Sequence, residues 1–365
     1  MIVSGFFCAQ NTLSMERKVK SMHMADALVS PAVGGALIAV SGAALCYAAI
    51  KSRKEQLLDE KKIPVMGIMS AFVFAGQMIN FTIPGTGSSG HIGGGILLAA
   101  LLGSGPALLC LAAVLVIQCL IFADGGLLAL GCNIFNMGVI PCLVIYPLLY
   151  KPIIKKGMTR KNVTITSVLS VVVGLQLGAF AVVLETLASG VTQLPFGSFL
   201  LLMQPIHLAI GIVEGLVTAA VLVYISHAQP EILQSAQIPR PLRSQLSMKK
   251  VLAVLGVLTL LTGGGLSLFA SSYPDGLEWS VDGVLRKNEP IIEETDGLWE
   301  VTATGAVYDA AENIQEATSL MPNYALKDSD SAAGTSAAGI FGSLAVMLLA
   351  GGVGFLIARS KKKTA

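Results

Sequence analysis

The sequence predicts an all-α polytopic membrane protein, and three observations predict it. The 365 residues are 54% hydrophobic and only 13% charged, where a soluble domain is about a quarter charged. The apolar residues fall in long uncharged runs, and runs of roughly 18 or more read as membrane helices. The formal net charge of +2 is small, yet the cations sit in discrete clusters between the runs. Mean hydropathy is +0.74. Of the six cysteines, Cys46, Cys110, Cys119, Cys132 and Cys142 lie inside apolar runs, and no CxxC occurs. That argues against a disulfide framework and a structural metal site.

The apolar runs are, in order, 31–50, 63–82, 92–103, 105–122, 127–150, 163–187, 198–226, 251–270 and 339–358, giving about nine spans. The third ends at the breaker cluster Gly103-Ser104-Gly105-Pro106 and is either a short span or a half-helix. Lys51, Arg53, Lys54, Lys61 and Lys62 follow the first run. Lys151, Lys155, Lys156, Arg160 and Lys161 follow the fifth. Arg240, Arg243, Lys249 and Lys250 precede the eighth, and Arg359, Lys361, Lys362 and Lys363 follow the last. With nine spans all four clusters share one side, which the positive-inside rule makes cytoplasmic. Without the third, the first cluster would lie opposite the others. The N-terminus is then outside and the C-terminus inside, in the cell membrane.

This assignment places 22–30, 83–91, 123–126, 188–197 and 271–338 outside. The last is acidic and contains Trp279, Trp299, Tyr308 and Tyr324, with short alternating stretches such as Leu298-Trp299-Glu300-Val301-Thr302. It reads as a small extracytoplasmic module. Its Ser/Ala/Gly-rich end, Asp328 to Gly339, reads as a linker. The chain divides into an extension at 1–21, a membrane domain at 22–226, a cytoplasmic linker at 227–250 and a two-span unit at 251–365. Residues 1–21 invert the order of a signal peptide, because the apolar stretch precedes Arg17, Lys18 and Lys20. The segment is either removed or never translated. Glu16-Arg17-Lys18 can be encoded by an unbroken purine run just ahead of Met22, like a ribosome-binding site, which favours a start at Met22.

Two of the four histidines carry the chemistry. A chain beginning at Met22 has an amine beside His23. Amine, following amide nitrogen and imidazole then form fused five- and six-membered chelate rings on one divalent ion. The amide must lose its proton, which favours Ni(II) and Cu(II), and Co(II) can be accommodated. His91, in Ser89-Gly90-His91-Ile92-Gly93-Gly94-Gly95, supplies a fourth nitrogen. The alternative for His23 is an exposed polar residue near a terminus. Gly93 to Gly95 fits close helix packing, whereas Gly85 to Gly90 is a flexible loop able to fold inward. Gln77 and Asn80, at i and i+3 on one helix face, and Ser89 are candidates to orient an imidazole; the alternative is interhelical hydrogen bonding. His207 and Glu214, two turns apart within an apolar run, line an ion path or fix packing, with Glu214 read as structural. Asp124 caps the helix after Gly125-Gly126 or lies on the ion path. Asn133 and Asn136 join helices. Neither GxxxxGK[ST] nor HExxH occurs, so this chain is expected to bind no ATP, to be no enzyme and to take no nucleic acid.

Several of these stretches resemble a known family. Met22-His23-Met24 leading to Ser30-Pro31 is similar to the family's amino terminus. Ala71 to Phe81 with Ser89-Gly90-His91-Ile92-Gly93-Gly94 is similar to its metal-binding loop. Ala123-Asp124-Gly125-Gly126 and His207 with Gly211-Ile212-Val213-Glu214-Gly215 also match. The family is CbiM/NikM, the substrate-capture membrane components of cobalt and nickel energy-coupling-factor transporters, and the resemblance covers about residues 22–226. Ser271-Ser272-Tyr273-Pro274-Asp275-Gly276-Leu277-Glu278-Trp279 resembles the PDGLE domain, related to the small N-type partner of these systems. The resemblance implies a fused protein in which the amine of Met22, His23 and His91 hold Co(II) or Ni(II) as cargo. It also implies cytoplasmic ATPase subunits, a transmembrane coupling subunit and, for cobalt, supply to cobalamin biosynthesis. Met24-Ala25-Asp26-Ala27 departs from the Pro-Asp-Gly type stretch of many relatives. The other readings are a gradient-driven or passive metal carrier, separated by whether uptake needs ATPase subunits, and an intramembrane metalloenzyme on His91 and His207. The outer module is expected to serve transport more than ligation.

Overall fold

The computed structural model describes residues 23–54, 62–192, 194–237, 248–288, 304–326 and 332–359. After a 3-10 turn at Asp26–Leu28 come α1 (Pro31–Lys54) and α2 (Lys62–Gln77). A hairpin of β1 (Phe81–Ile83) and β2 (Ser88–Gly90) leads to α3 (Gly95–Leu102) and α4 (Ser104–Phe122). Next, α5 (Leu130–Ile134), a π-helical stretch (Phe135–Tyr150) and α6 (Lys151–Ile154) form one continuous helix. Pro141 and Pro147 lie inside its π-helical part, where two missing N–H donors interrupt the ordinary i to i−4 ladder. Then follow α7 (Arg160–Ser189), α8 (Phe196–Ala228), α9 (Pro230–Gln237), α10 (Met248–Gly264), α11 (Gly276–Asn288), α12 (Ala306–Thr318) and α13 (Ala332–Arg359). Among the described residues, seven helices are long and apolar enough to cross a membrane.

The nine apolar runs therefore do not give nine long helices. α2 has 16 residues and α3 only eight, and eight residues rise about 12 Å against a hydrocarbon core of roughly 30 Å. The third run instead completes its descent with non-helical chain. A side chain at Gly90 would press on Ile210, one at Gly93 would meet Glu214, and one at Gly103 would approach the Ala236 carbonyl. Residues 90–103 thus follow α8 from its middle to α9. Irregular backbone at this depth is tolerated because it is enclosed by protein; every residue of α3 is buried.

The described members of the basic clusters lie at one end of the bundle. Ser52 lies against Gly105, and Gly354 of α13 against Met66 and Ile63 of α2. The Tyr146 hydroxyl donates to the Ala236 carbonyl at 3.2 Å. α10 runs antiparallel to α13, with Gly264 beside Ile340, so Lys250 falls at the same end. The expected linker over 328–339 is corrected in part: residues from Ala332 onward are helical. In the outer module the described parts are residues 271–288, which include α11, and 304–326, which include α12 and a 3-10 turn at Pro322–Tyr324; the alternating stretch at 298–302 lies outside the described residues, as does residue 22.

Candidate metal centre

The segment from His23 enters the bundle at the end opposite the cations. His23 is 4% exposed and Met24 1%, so His23 is not the exposed terminal residue of the alternative reading. The Met24 N–H donates to Asn133 Oδ1 at 3.1 Å, and Asn133 Nδ2 donates back to the Met24 carbonyl at 3.1 Å. Gly126 N–H donates to that carbonyl as well, at 3.0 Å. Gly125 has φ +80°, and a side chain there would reach His23 Cβ at 2.9 Å; one on Gly126 would overlap Asp26. The two glycines are what allow the segment through.

The tautomer of His23 follows from its partner. Nε2 lies 2.9 Å from Gln118 Oε1. A carboxamide oxygen only accepts, so the proton is on Nε2 and the lone pair on Nδ1. Asp124 Oδ2, 3.8 Å from the same Nε2, favours that arrangement.

His91 follows β2, whose residues pair as Phe81↔Gly90, Thr82↔Ser89 and Ile83↔Ser88. Its Nδ1 faces the Ile92 carbonyl at 3.2 Å, which makes Nδ1 the donor and leaves the lone pair on Nε2. Below it, Gln77 Nε2 donates to the Gly93 carbonyl at 3.0 Å and the Gly94 N–H donates to Glu214 Oε1 at 2.8 Å. Gly94 has φ +79°, and a side chain there would meet Val73 at 2.5 Å. The His23 and His91 rings stand edge to face, with centroids 5.4 Å apart. They share a cavity of about 110 Å³ with His207, Glu214, Asn136 and Asp275. His207 Nδ1 donates to the Met203 carbonyl at 2.7 Å.

The module that follows α10 forms part of this centre. Ser89 N–H donates to the Pro274 carbonyl at 2.7 Å and its hydroxyl to the Tyr273 carbonyl at 2.8 Å. Trp279 Nε1 donates to the Thr86 carbonyl at 2.9 Å, and Ser271 N–H to the Asn80 carbonyl at 2.7 Å. Asp275 accepts from the Glu278 N–H at 2.8 Å. Burial, then the neighbouring Glu278, pushes its carboxyl well above the usual carboxylate range.

Two expectations are corrected here. Asp124 does not cap α5. Asp26 accepts from the Ala129 N–H at 2.9 Å, taking up a donor that the helix start leaves unpaired. Burial raises the Asp26 pKa, against hydrogen bonds from the Ala129, Leu128 and Leu127 backbone. Gln77 and Asn80 do not share a helix face, because α2 ends at Gln77; Gln77 holds the loop backbone. Gln118 was missed. Its signal was a lone amide in the apolar run Val114 to Leu120. Among the described residues no three His, Cys, Asp or Glu side chains converge as a metal cage.

Residues 23–232 match the family model described as the cobalt uptake substrate-specific transmembrane region, CbiM. The chain belongs to the CbiM family. Residues 249–359 match the PDGLE domain. A relative from Archaeoglobus fulgidus, named "Putative fused nickel transport protein NikMN", is 30% identical over 342 residues, 93% of this chain and 98% of its own. "Probable fused nickel transport protein LarMN" of Lactiplantibacillus plantarum is 32% identical over 66% of this chain and 75% of its own. A truncated transition metal transporter of known crystal structure is 32% identical, with a TM-score of 0.50 over 56% of this chain and 99% of its own. The chain, whose relatives are named as transport proteins, is a multi-pass membrane protein and not an enzyme.

Proposed function

We propose that this protein is the substrate-capture subunit of an energy-coupling-factor importer of Ni(II) or Co(II). The observation that carries the reading is the pair of imidazoles that share one cavity, His23 offering Nδ1 and His91 offering Nε2. In a chain that starts at Met22, the amine of Met22 and the amide nitrogen of His23 complete a set of four nitrogens. Nδ1 is the nitrogen the chelate needs, since it closes a six-membered ring with the residue's own amide. A planar nitrogen set favours Ni(II) over Co(II), and the two fused relatives named above are named as nickel transport proteins.

The positive-inside rule supports reading the α9 end as cytoplasmic and the centre as facing outward. Energy would come from cytoplasmic ATPase subunits through a transmembrane coupling subunit, because this chain has no phosphate-binding loop. Residues 1–21 would have to be absent, which the intact mass of metal-loaded protein reads directly. The deciding experiment is uptake of labelled nickel and cobalt in cells with and without the ATPase subunits. Uptake that depends on them, with nickel preferred, is expected. Equal uptake without them would mean a passive or gradient-driven carrier.

A further inference from the structure

The PDGLE half meets the metal centre at a second place, across the end of α4. Tyr324 donates its hydroxyl to Asp124 Oδ2 at 2.5 Å. That carboxylate oxygen is the one 3.8 Å from His23 Nε2, which also lies 2.9 Å from Gln118 Oε1. Asp124 is 2% exposed and Tyr324 9%, so the connection is shielded from water, where such bonds are strongest.

The phenol is held in place by its own surroundings. Its ring stacks on Phe122, with centroids 4.7 Å apart and 14° between planes, and lies 6.2 Å from Phe74. Met321 N–H donates to the Ile121 carbonyl at 3.1 Å. Gln315 Nε2 donates to the Gly125 carbonyl at 2.6 Å and the Cys119 carbonyl at 3.0 Å. Asn323 and Tyr324 both have positive φ, 55° and 58°. Residues with side chains keep such a conformation only where surrounding contacts enforce it, and it concentrates at functional sites.

We infer that Tyr324 is a positioning residue of the metal centre: its hydroxyl fixes Asp124, which with Gln118 keeps the His23 proton on Nε2 and turns Nδ1 toward the ion. The inference rests on the proposed reading of His23 and His91 as ligands. A ligating histidine whose other nitrogen is held by a carboxylate or carbonyl has a fixed tautomer and a more basic donor atom. Here the final partner comes from residue 324 and the ligand from residue 23. Metal affinity in the first half thus depends on docking of the second.

The test uses the chain from Met22 to Ala365 in detergent, titrated with Ni(II) by calorimetry and followed by the ligand-field absorption band. Tyr324→Phe keeps the aromatic stack and removes the hydroxyl. We expect affinity to fall about 10–100-fold and the band to shift, with the melting temperature of the metal-free protein unchanged. Asp124→Asn should weaken binding as well, and the double variant should be no weaker than Asp124→Asn alone, since the two act through one connection. That cycle decides the matter even if Tyr324→Phe lowers the melting temperature. His91→Ala is the control. If it loses binding while Tyr324→Phe keeps wild-type affinity and spectrum, Tyr324 has no positioning role and the metal centre stands. If His91→Ala also binds normally, the metal centre itself falls, and this inference with it.

Discussion

Replacing Asn133 by Ala should undock the ligand segment without unfolding the bundle. Asn133 makes two hydrogen bonds to Met24, one to its N–H and one to its carbonyl. The consequences differ. The carbonyl keeps its bond from Gly126, so losing the amide of Asn133 there costs about 0.5–1.5 kcal/mol. The Met24 N–H has no replacement and is left buried and unpaired, a cost of about 1–3 kcal/mol. Together they weaken docking of residues 23–28 by about 1.5–4.5 kcal/mol. If the ion binds only the docked segment, affinity falls by roughly one to three decades. The helix that carries Asn133 keeps its apolar packing through Cys132 and Ile134, so the melting temperature of the metal-free protein should change little. Calorimetric titration with Ni(II), next to a thermal melt, reads both quantities. An Asn133→Ala protein that binds Ni(II) within threefold of wild type would refute the idea that the Met24 clamp holds a ligand in place.

Glu214→Ala leaves the Gly94 N–H buried without its acceptor, a cost of about 1–3 kcal/mol felt at the loop that carries His91. Nickel affinity should drop about tenfold or more, whereas Glu214→Gln, which keeps a carbonyl acceptor, should lose much less; equal losses would make the charge, not the hydrogen bond, the important property. A chain ended after residue 245 keeps the whole region matched by the CbiM family model, residues 23–232, and should still fold. It loses Pro274, Trp279 and Tyr324 together. It should bind one nickel ion more weakly than the full chain and support no uptake; wild-type affinity in the short form would show that these contacts do not tune the site.

The parts legible in the sequence were those that local pattern carries. Apolar runs gave the long helices, and two histidines beside unusual neighbours gave the pair that shares the cavity. The breaker cluster at Gly103 to Pro106 foretold a short third helix. What was not legible depends on contacts far apart in the chain. Asp124 precedes two glycines and a helix, which is the local pattern of a cap; Asp26, more than 100 residues away, makes the cap because Gly125 and Gly126 let its segment pass. Gln118 had no local meaning until His23 was folded against it. Likewise, an acidic module without histidine or cysteine gave no sign that Asp275 lines the cavity or that Tyr324 reaches Asp124.

In the proposed site the ion is held by nitrogens, two of them from His23 and His91. X-ray absorption at the nickel edge, on metal-loaded wild-type and His91→Ala proteins, tests it most directly. Four nitrogen neighbours in a plane at about 2 Å, within the usual range for metal–nitrogen bonds, are expected, with the imidazole scattering reduced in the variant. Sulfur or predominantly oxygen neighbours, or a spectrum unchanged by His91→Ala, would contradict it.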